Sequence, residues 1–539
     1  MRRLALIIFL SILAIQGWAQ DTTTQTKLVI LADYDPVLSA ARKVVIRPVL
    51  EPLSNETPTY TYDLPNFGYK VMPTYQPARA IELKIDELDA LTGNYFKLGG
   101  GNYLTPYGEF QLQSLRNKKF SYGAYGKHLS SNAGNPKNAD FSDNELGIFG
   151  TKLTRKGDLT GKLNYERHVI HRYGYNEDSI TFEKAAINQI YNDFNGSIAY
   201  DNGTIRKKTA FKTIFDFYTF SNLGNRENDF QIKLNSGYDL RHNQLIKLDA
   251  AVDFTSLYQD TFNLNRMFIR VKPSYTFQYK KIDIRIGANA VVVNDTSKAK
   301  VYVFPDVSAE HFLVKDKVKV FAEIGGDVRK TSLRQLSYLN PFVVGRPELV
   351  NTINNFNAGA GIRGILKNRL DYLLKVQFSN DNNLALFKTD SSATHPFNVA
   401  YDNVQTVAFQ TGLGVRIDEK FFVQFATTLY NYKTDKELQA WQLPSFDADI
   451  NLRYTLAKKL NLRLQMYAFG ERFQRDIYNE NNSIKIKPFA DVNLIADYRY
   501  KENISFFLQA HNLSNSRYQK WYNYPVYGVN VLAGVTFSL

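Results

Sequence analysis

The chain has 539 residues, of which 44% are hydrophobic, 14% aromatic and 22% charged, with a formal net charge of +14 and no cysteine. The missing cysteine excludes disulfides, a thiol nucleophile, cysteine metal sites and a lipid-modified cysteine anchor. Beyond the first 20 residues no stretch of 18 apolar residues occurs, which excludes helical membrane spans and leaves an exported soluble protein or a β-barrel.

The chain opens with MRRLALIIFLSILAIQGWAQ: a basic start at Arg2 and Arg3, an apolar run from Leu4, and small residues at Gly17 and Ala19. That layout predicts a signal peptide over 1–19, cleaved between Ala19 and Gln20, with an apolar run shorter than the roughly 20 residues of a spanning helix. Losing Arg2 and Arg3 lowers the charge from +14 to about +12. For an exported chain this charge points away from nucleic acid and towards anionic outer-membrane lipid and lipopolysaccharide phosphates. Residues 20–91 carry seven of the 17 prolines: Pro36, Pro48, Pro52, Pro58, Pro65, Pro73 and Pro77. Proline fixes φ and removes a donor, so the spacing predicts an extended periplasmic segment, a rudimentary plug or a tail that docks a partner.

From 92 to 539 one texture continues. A barrel strand places lipid-facing apolar residues at every second position. Ile246, Leu248, Ala250, Val252 and Phe254 alternate with Lys247, Asp249, Ala251, Asp253 and Thr255. Ile282, Ile284, Ile286, Ala288 and Ala290 alternate with Asp283, Arg285, Gly287 and Asn289. The same pattern runs through 446–456, 462–468 and 490–500. A soluble sandwich also alternates, but its strands usually run about 5–6 residues and these run about 10–15. Aromatics near strand ends, such as Phe421, Phe422, Tyr430 and Tyr432, suit interface girdles.

The connections take turns between two classes. Short charged ones, such as RNKK (116–119), RKGD (155–158) and KNR (367–369), alternate with mostly longer polar ones, such as 131–143, 173–187, 333–353, 381–402, 433–445 and 475–485. Short periplasmic turns and longer external loops are the asymmetry of bacterial barrels. Ten short turns and eleven outer loops predict about 22 strands, with both chain ends in the periplasm. The predicted fold is thus all-β: a transmembrane antiparallel barrel over 92–539, preceded by a short extended segment over 20–91. A run of glycines at 99–101 predicts a tight first outer hairpin.

The C-terminal region carries a more specific pattern. Asn512, Leu513, Asn515 and Tyr518 are followed by Tyr524-Pro525, Gly528 and a last alternating strand with Phe537 near its end. This resembles the C-terminal strands of TonB-dependent receptors, where an Asn-Leu-x-Asn-x-x-Tyr stretch precedes a Tyr-Pro and a final aromatic-ended strand. The resemblance covers about 92–539 and implies insertion by the barrel-assembly machinery, which reads that final strand. It departs from the family at the N-terminus, where 20–91 is too short for the usual plug and TKLVIL (26–31) is an added strand or a degenerate TonB-contacting box. The whole looks like the plug-less TonB-receptor-like barrels of the Bacteroidetes.

Chemistry-bearing residues are few. His168 and His171 fall on opposite faces of a strand, against a metal pair. His128, Ser130 and Ser131 lack a recognisably spaced carboxylate orienter, so no catalysis is predicted. DYDP (33–36) and FSDNE (141–145) lack the ligand count of a calcium loop, and no cofactor or metal is expected. The candidate lumen lining is Asp249, Asp253, Asp283, Arg285, Lys319, Glu323, Asp447, Asp449, Arg453, Arg463, Asp491, Asp497 and Arg499, either a salt-bridged wall or a selectivity lining. Two functions remain open: a transport or pore barrel gated by 20–91 or by a partner, and a non-transporting scaffold or accessory subunit of an outer-membrane assembly or secretion complex, with 20–91 docking a periplasmic or surface-lipoprotein partner.

Overall fold

A computed structural model describes residues 94–539. Excepted are 115, 116, 118, 133–135, 177, 179, 204–207, 241–243, 260, 261, 296, 297, 368, 419, 458 and 480. The expected signal peptide with Ala19 and Gln20, the proline-rich 20–91 segment and the motifs at 26–31 and 33–36 lie outside the described residues.

Alternation obliges each strand to share its hydrogen bonds with neighbours on both sides, and the sheet meets that demand by closing. Twenty-two strands form one antiparallel sheet. The last strand, Asn530–Ser538, returns to the first, Tyr95–Gly101, in a register from Tyr95↔Ser538 to Gly101↔Leu532. Among the described residues this leaves no open edge. The glycine run does more than tighten the first hairpin. A Cβ on Gly99 would sit 2.7 Å from the Ala533 carbonyl oxygen, and one on Gly101 would sit 2.4 Å from that of Val531. The closing seam has no room for side chains there. At the short-turn rim the Leu539 amide donates to the Asn94 carbonyl at 2.9 Å, so the two ends of the barrel meet.

The two faces differ as the alternation demands. On Leu245–Gln259, Ile246, Leu248, Val252 and Phe254 are exposed while Asp253 and Thr255 are buried. On Asn225–Asp239, Phe230 and Ile232 are exposed while Glu227 and Asp229 are buried. An apolar band on the outside of a closed sheet is the surface that acyl chains cover, so the barrel is transmembrane. Phe120, Tyr122, Tyr238, Tyr279, Tyr498 and Tyr500 are exposed beside the short turns, where a girdle belongs. Of the four aromatics expected in a girdle, Phe421 faces outward against Tyr454. Phe422 pairs with the inward Arg453, while Tyr430 and Tyr432 stack inside, Tyr430 donating to Asp447 at 2.9 Å. Their parity, not their nearness to a strand end, decides.

Two stretches read as polar loops are ordered structure. Strands Leu370–Thr389 and Phe397–Arg416 run 20 residues each and leave only 390–396 between them. The ladder continues past an irregularity between Asp381 and Leu384, because Leu386 packs above it on Ala440, Trp441 and Leu443 of the neighbouring loop. The segment 330–351 contains the helix Leu333–Leu339.

Replacing Ile148, exposed midway along Phe141–Thr154, by Arg is expected to destabilise the barrel by about 2–4 kcal/mol. Lys152→Arg on the same face should change little. Reversible guanidinium unfolding in lipid vesicles measures both.

Candidate functional site: a folded lid in the barrel mouth

The segment 330–351 joins strands Val318–Arg329 and Thr352–Leu366. Its apolar residues cannot face water alone. Leu333, Leu336, Phe342 and Val343 bury themselves against Ile170, Tyr191, Phe220, Leu257, Phe387, Phe397, Trp521 and Tyr524, which come from the barrel wall and other outer loops. Each fully buried side chain of this kind contributes about 1.5–3 kcal/mol. The long-loop end of the barrel therefore holds a small packed core of its own, and 330–351 is its lid.

Polar groups set where the lid lies. Ser332 caps the helix Leu333–Leu339, its hydroxyl accepting from the Gln335 amide at 3.1 Å. The carboxylate of Glu227 accepts from the Leu333 amide at 2.8 Å. Lys330 reaches Asp229 at 2.5 Å, Asp253 at 2.7 Å and the Thr255 hydroxyl at 3.0 Å. Asp253 is six residues below the strand end at Gln259, roughly 20 Å along the strand at about 3.3 Å per residue, so the lid dips into the lumen. Further round the wall, Arg334 pairs with Asp193 at 2.5 Å and lies over the Tyr218 ring. The Tyr338 hydroxyl meets Glu166 and Asp193, each at 2.9 Å. Arg266 donates to the Thr331 carbonyl and to Asn351, clasping both ends of the segment.

The C-terminal pattern residues belong to the same assembly. Asn512 and Asn515 take positive φ values of 51° and 50°, which Asn tolerates better than most side chains. The Asn512 side-chain amide donates to the Ser516 and Tyr527 carbonyls, at 2.8 and 2.6 Å. The Leu513 amide donates to the Val492 carbonyl, and Asn515 accepts from the Val529 amide. Tyr518 stacks on Phe489 at 3.8 Å and donates to Asp491 at 2.6 Å. Tyr524 stacks on Phe342 of the lid at 3.7 Å and donates to the Thr394 carbonyl at 2.9 Å. The Pro525 carbonyl accepts from Tyr173, and Gly528 sits where a Cβ would be 2.7 Å from Asn515. Phe537 faces outward. Arg472, in the hairpin Arg472–Arg475 with Ser483–Ile486, donates to the Gln519 and Lys520 carbonyls, and burial pushes its guanidinium down to about 10.

The thirteen candidate lining residues all fall on the inward parity of their strands, opposite to the exposed apolar positions. Asp249 accepts from Asn235 at 2.9 Å and Asp283 from Gln278 at 3.0 Å. Arg285 pairs with Asp306 at 3.3 Å, Lys319 with Glu310 at 2.5 Å and Glu323 with Lys375 at 2.6 Å. Asp447 accepts from Tyr430, Asp449 from Asn451, and Asp491 from Tyr467. Arg453 stands opposite Arg463, Asp497 opposite Asn461 and Phe507, and Arg499 opposite Ser505. Asp253 meets the lid, and Asp491 meets the last outer loop through Tyr518. The lid's own anchors, Lys330, Arg334 and Tyr338, and their wall partners Asp193, Glu227 and Asp229, are absent from the sequence-based set. Their signal was the apolar spacing Leu333, Leu336, Leu339 inside a supposed polar loop. Elsewhere, His168 faces inward to Asp143 while His171 lies 3.6 Å from Asp140. Among the described residues no three His, Asp or Glu side chains gather as a metal site.

No family model matches the sequence, and no curated protein does. Solved structures do share the fold. The pyoverdine outer membrane receptor FpvA of Pseudomonas aeruginosa superposes with a TM-score of 0.62 at 11% identity, over 83% of this chain and 78% of that one. The FrpB iron transporter of Neisseria meningitidis gives 0.64 at 10% identity over 83% and 81%, and the siderophore receptor PiuA of Acinetobacter baumannii gives 0.62 at 11% over 84% and 82%. Each is a receptor or transporter. At such identities the likeness is one of fold.

Lys330→Met should leave Asp229 and Asp253 buried without their cation, a change that costs about 3–5 kcal/mol. The expected outcome is amide exchange in 330–351 faster by about two to four orders of magnitude, with partial recovery in Lys330→Met/Asp253→Asn. Unchanged exchange would show that the ion pair does not hold the lid.

Proposed function

We propose that this chain is a TonB-dependent-receptor-like outer-membrane transport barrel without a full plug domain, closed at its outer mouth by its own loops and gated on the periplasmic side by 20–91 or a partner. The observation that carries this reading is the lid. A barrel of 22 strands is too wide for its wall side chains to fill, and here 330–351 folds into the mouth on specific ionic anchors. A passive pore has no need of such a closure, whereas a gate needs a defined closed state. The fold neighbours include a pyoverdine receptor and a siderophore receptor, which supports a solute too large for a simple porin as cargo.

Planar-bilayer conductance tests the gate in four forms: full length, 20–91 deleted, Lys330→Met/Arg334→Ala, and the deletion combined with both substitutions. Full-length protein should be silent and the combined form should open large, stable steps. Steady conductance from the full-length protein removes the gate. Silence of the combined form favours the scaffold reading.

A further inference from the structure

The outward face of the barrel should be apolar, yet three polar side chains meet on it beside the long-loop rim. His128 and Ser130 lie on the strand Phe120–Ser131, and Asn144 on its partner Phe141–Thr154, opposite His128 in register. On both strands these positions share the parity of the exposed Tyr122, Leu146 and Ile148, so all three point away from the lumen. His128 Nδ1 is 2.7 Å from Asn144 Oδ1, and the Ser130 hydroxyl is 3.2 Å from His128 Nε2. The Asn144 side-chain amide donates to the Ser142 hydroxyl at 3.1 Å, which turns Oδ1 towards the imidazole. An amide oxygen only accepts, so Nδ1 carries the ring proton and Nε2 is free to take the serine's. This is the order of a nucleophile, a base and an orienting group.

Ser130 also lines an open hollow of about 560 Å³ at the long-loop rim, shared with Ser131, Phe141 and His171. Leu104, Pro106 and Val169 supply apolar wall, and Lys184, held by Asp140 at 3.0 Å, supplies a cation. An acyl chain suits the first and a phosphate the second.

We propose that this outward face is an acyl-ester hydrolase site acting on membrane lipid, with Ser130 as nucleophile, His128 as base and Asn144 as the positioning residue. Ser130 Oγ attacks the ester carbonyl carbon while its proton passes to His128 Nε2. The tetrahedral intermediate collapses, the bond from the carbonyl carbon to the lipid alkoxy oxygen breaks, and that oxygen takes the proton from His128. A lyso-lipid leaves and the acyl group stays on Ser130. Water then attacks, gives its proton to His128, and a fatty acid leaves as Ser130 regains that proton. Atoms balance with water as the sole co-substrate. Phospholipid and lipid A both present such an ester.

The test uses full-length protein in mixed micelles, with folding checked by heat-modifiable gel mobility. A dodecyl fluorophosphonate should form an adduct that peptide mass spectrometry places on Ser130. Fatty-acid release is followed in two arms, phosphatidylethanolamine and lipid A, and release in either arm identifies the ester. Ser130→Ala and His128→Ala should each lower release by about 10²-fold or more. Ser121→Ala, at the opposite end of the same strand, should leave it unchanged. Asn144→Ala should lower release, while Asn144→Asp should keep it with the low-pH limb of the rate profile moved to higher pH, because a carboxylate favours the protonated imidazole. A folded barrel that gives no Ser130 adduct overturns the proposal, as does release that persists in Ser130→Ala. An adduct without release from either lipid overturns the lipid substrate.

Discussion

Lipid offers backbone groups no hydrogen bonds, and the closed sheet is the answer to that constraint. An unpaired amide or carbonyl in hydrocarbon costs several kcal/mol, so each strand needs two neighbours and the last must find the first. The register from Tyr95↔Ser538 to Gly101↔Leu532 completes the circle, and the glycines at the seam let the backbones approach. Once the sheet is closed, every strand has one face for acyl chains and one for the lumen, and the two faces carry different chemistry.

The inward face poses a space problem. Wall side chains cannot fill a cylinder of this width, so closure must come from outside the wall, and at the outer mouth loops supply it. The lid does this with apolar residues, which supply the favourable free energy, and with ion pairs, which supply position. A buried pair adds little over a well-packed apolar contact, but a misplaced one leaves a charge uncompensated. Lys330 between Asp229 and Asp253, and Arg334 against Asp193, therefore act as register marks. The C-terminal pattern serves the same closure, since Tyr524 stacks directly on Phe342 of the lid.

The outward face carries the opposite expectation, and His128, Ser130 and Asn144 depart from it together. Their mutual hydrogen bonds reduce the penalty of placing polar groups on the outward face. The intervening Leu129 packs inward with Tyr107, Phe507 and Leu532. A single strand thus contributes to the lumen wall and to the outward trio through alternate residues, and a change to one face need not disturb the other.

The period-2 pattern of segments such as Phe446–Leu456, the alternation of short and long connections, and the even strand count that brings the first and last strands together were legible in the sequence, because each follows from local strand and turn patterns. Parity along one strand also settled which way Asp447 and Asp491 point. The lid was not legible: its partners Glu227, Asp229 and Asp253 lie between 77 and 106 residues away in the chain, and only folding brings them to it. Nor was the third member of the outward trio, because Asn144 meets His128 through the register between two strands, a relation that neither strand encodes alone. The sequence by itself determined a closed, lipid-facing barrel, since alternation and backbone satisfaction depend on neighbouring residues. What fills its mouth, and which side chains meet on its surface, the tertiary structure decided, because those contacts depend on strand register and loop packing across the whole circle.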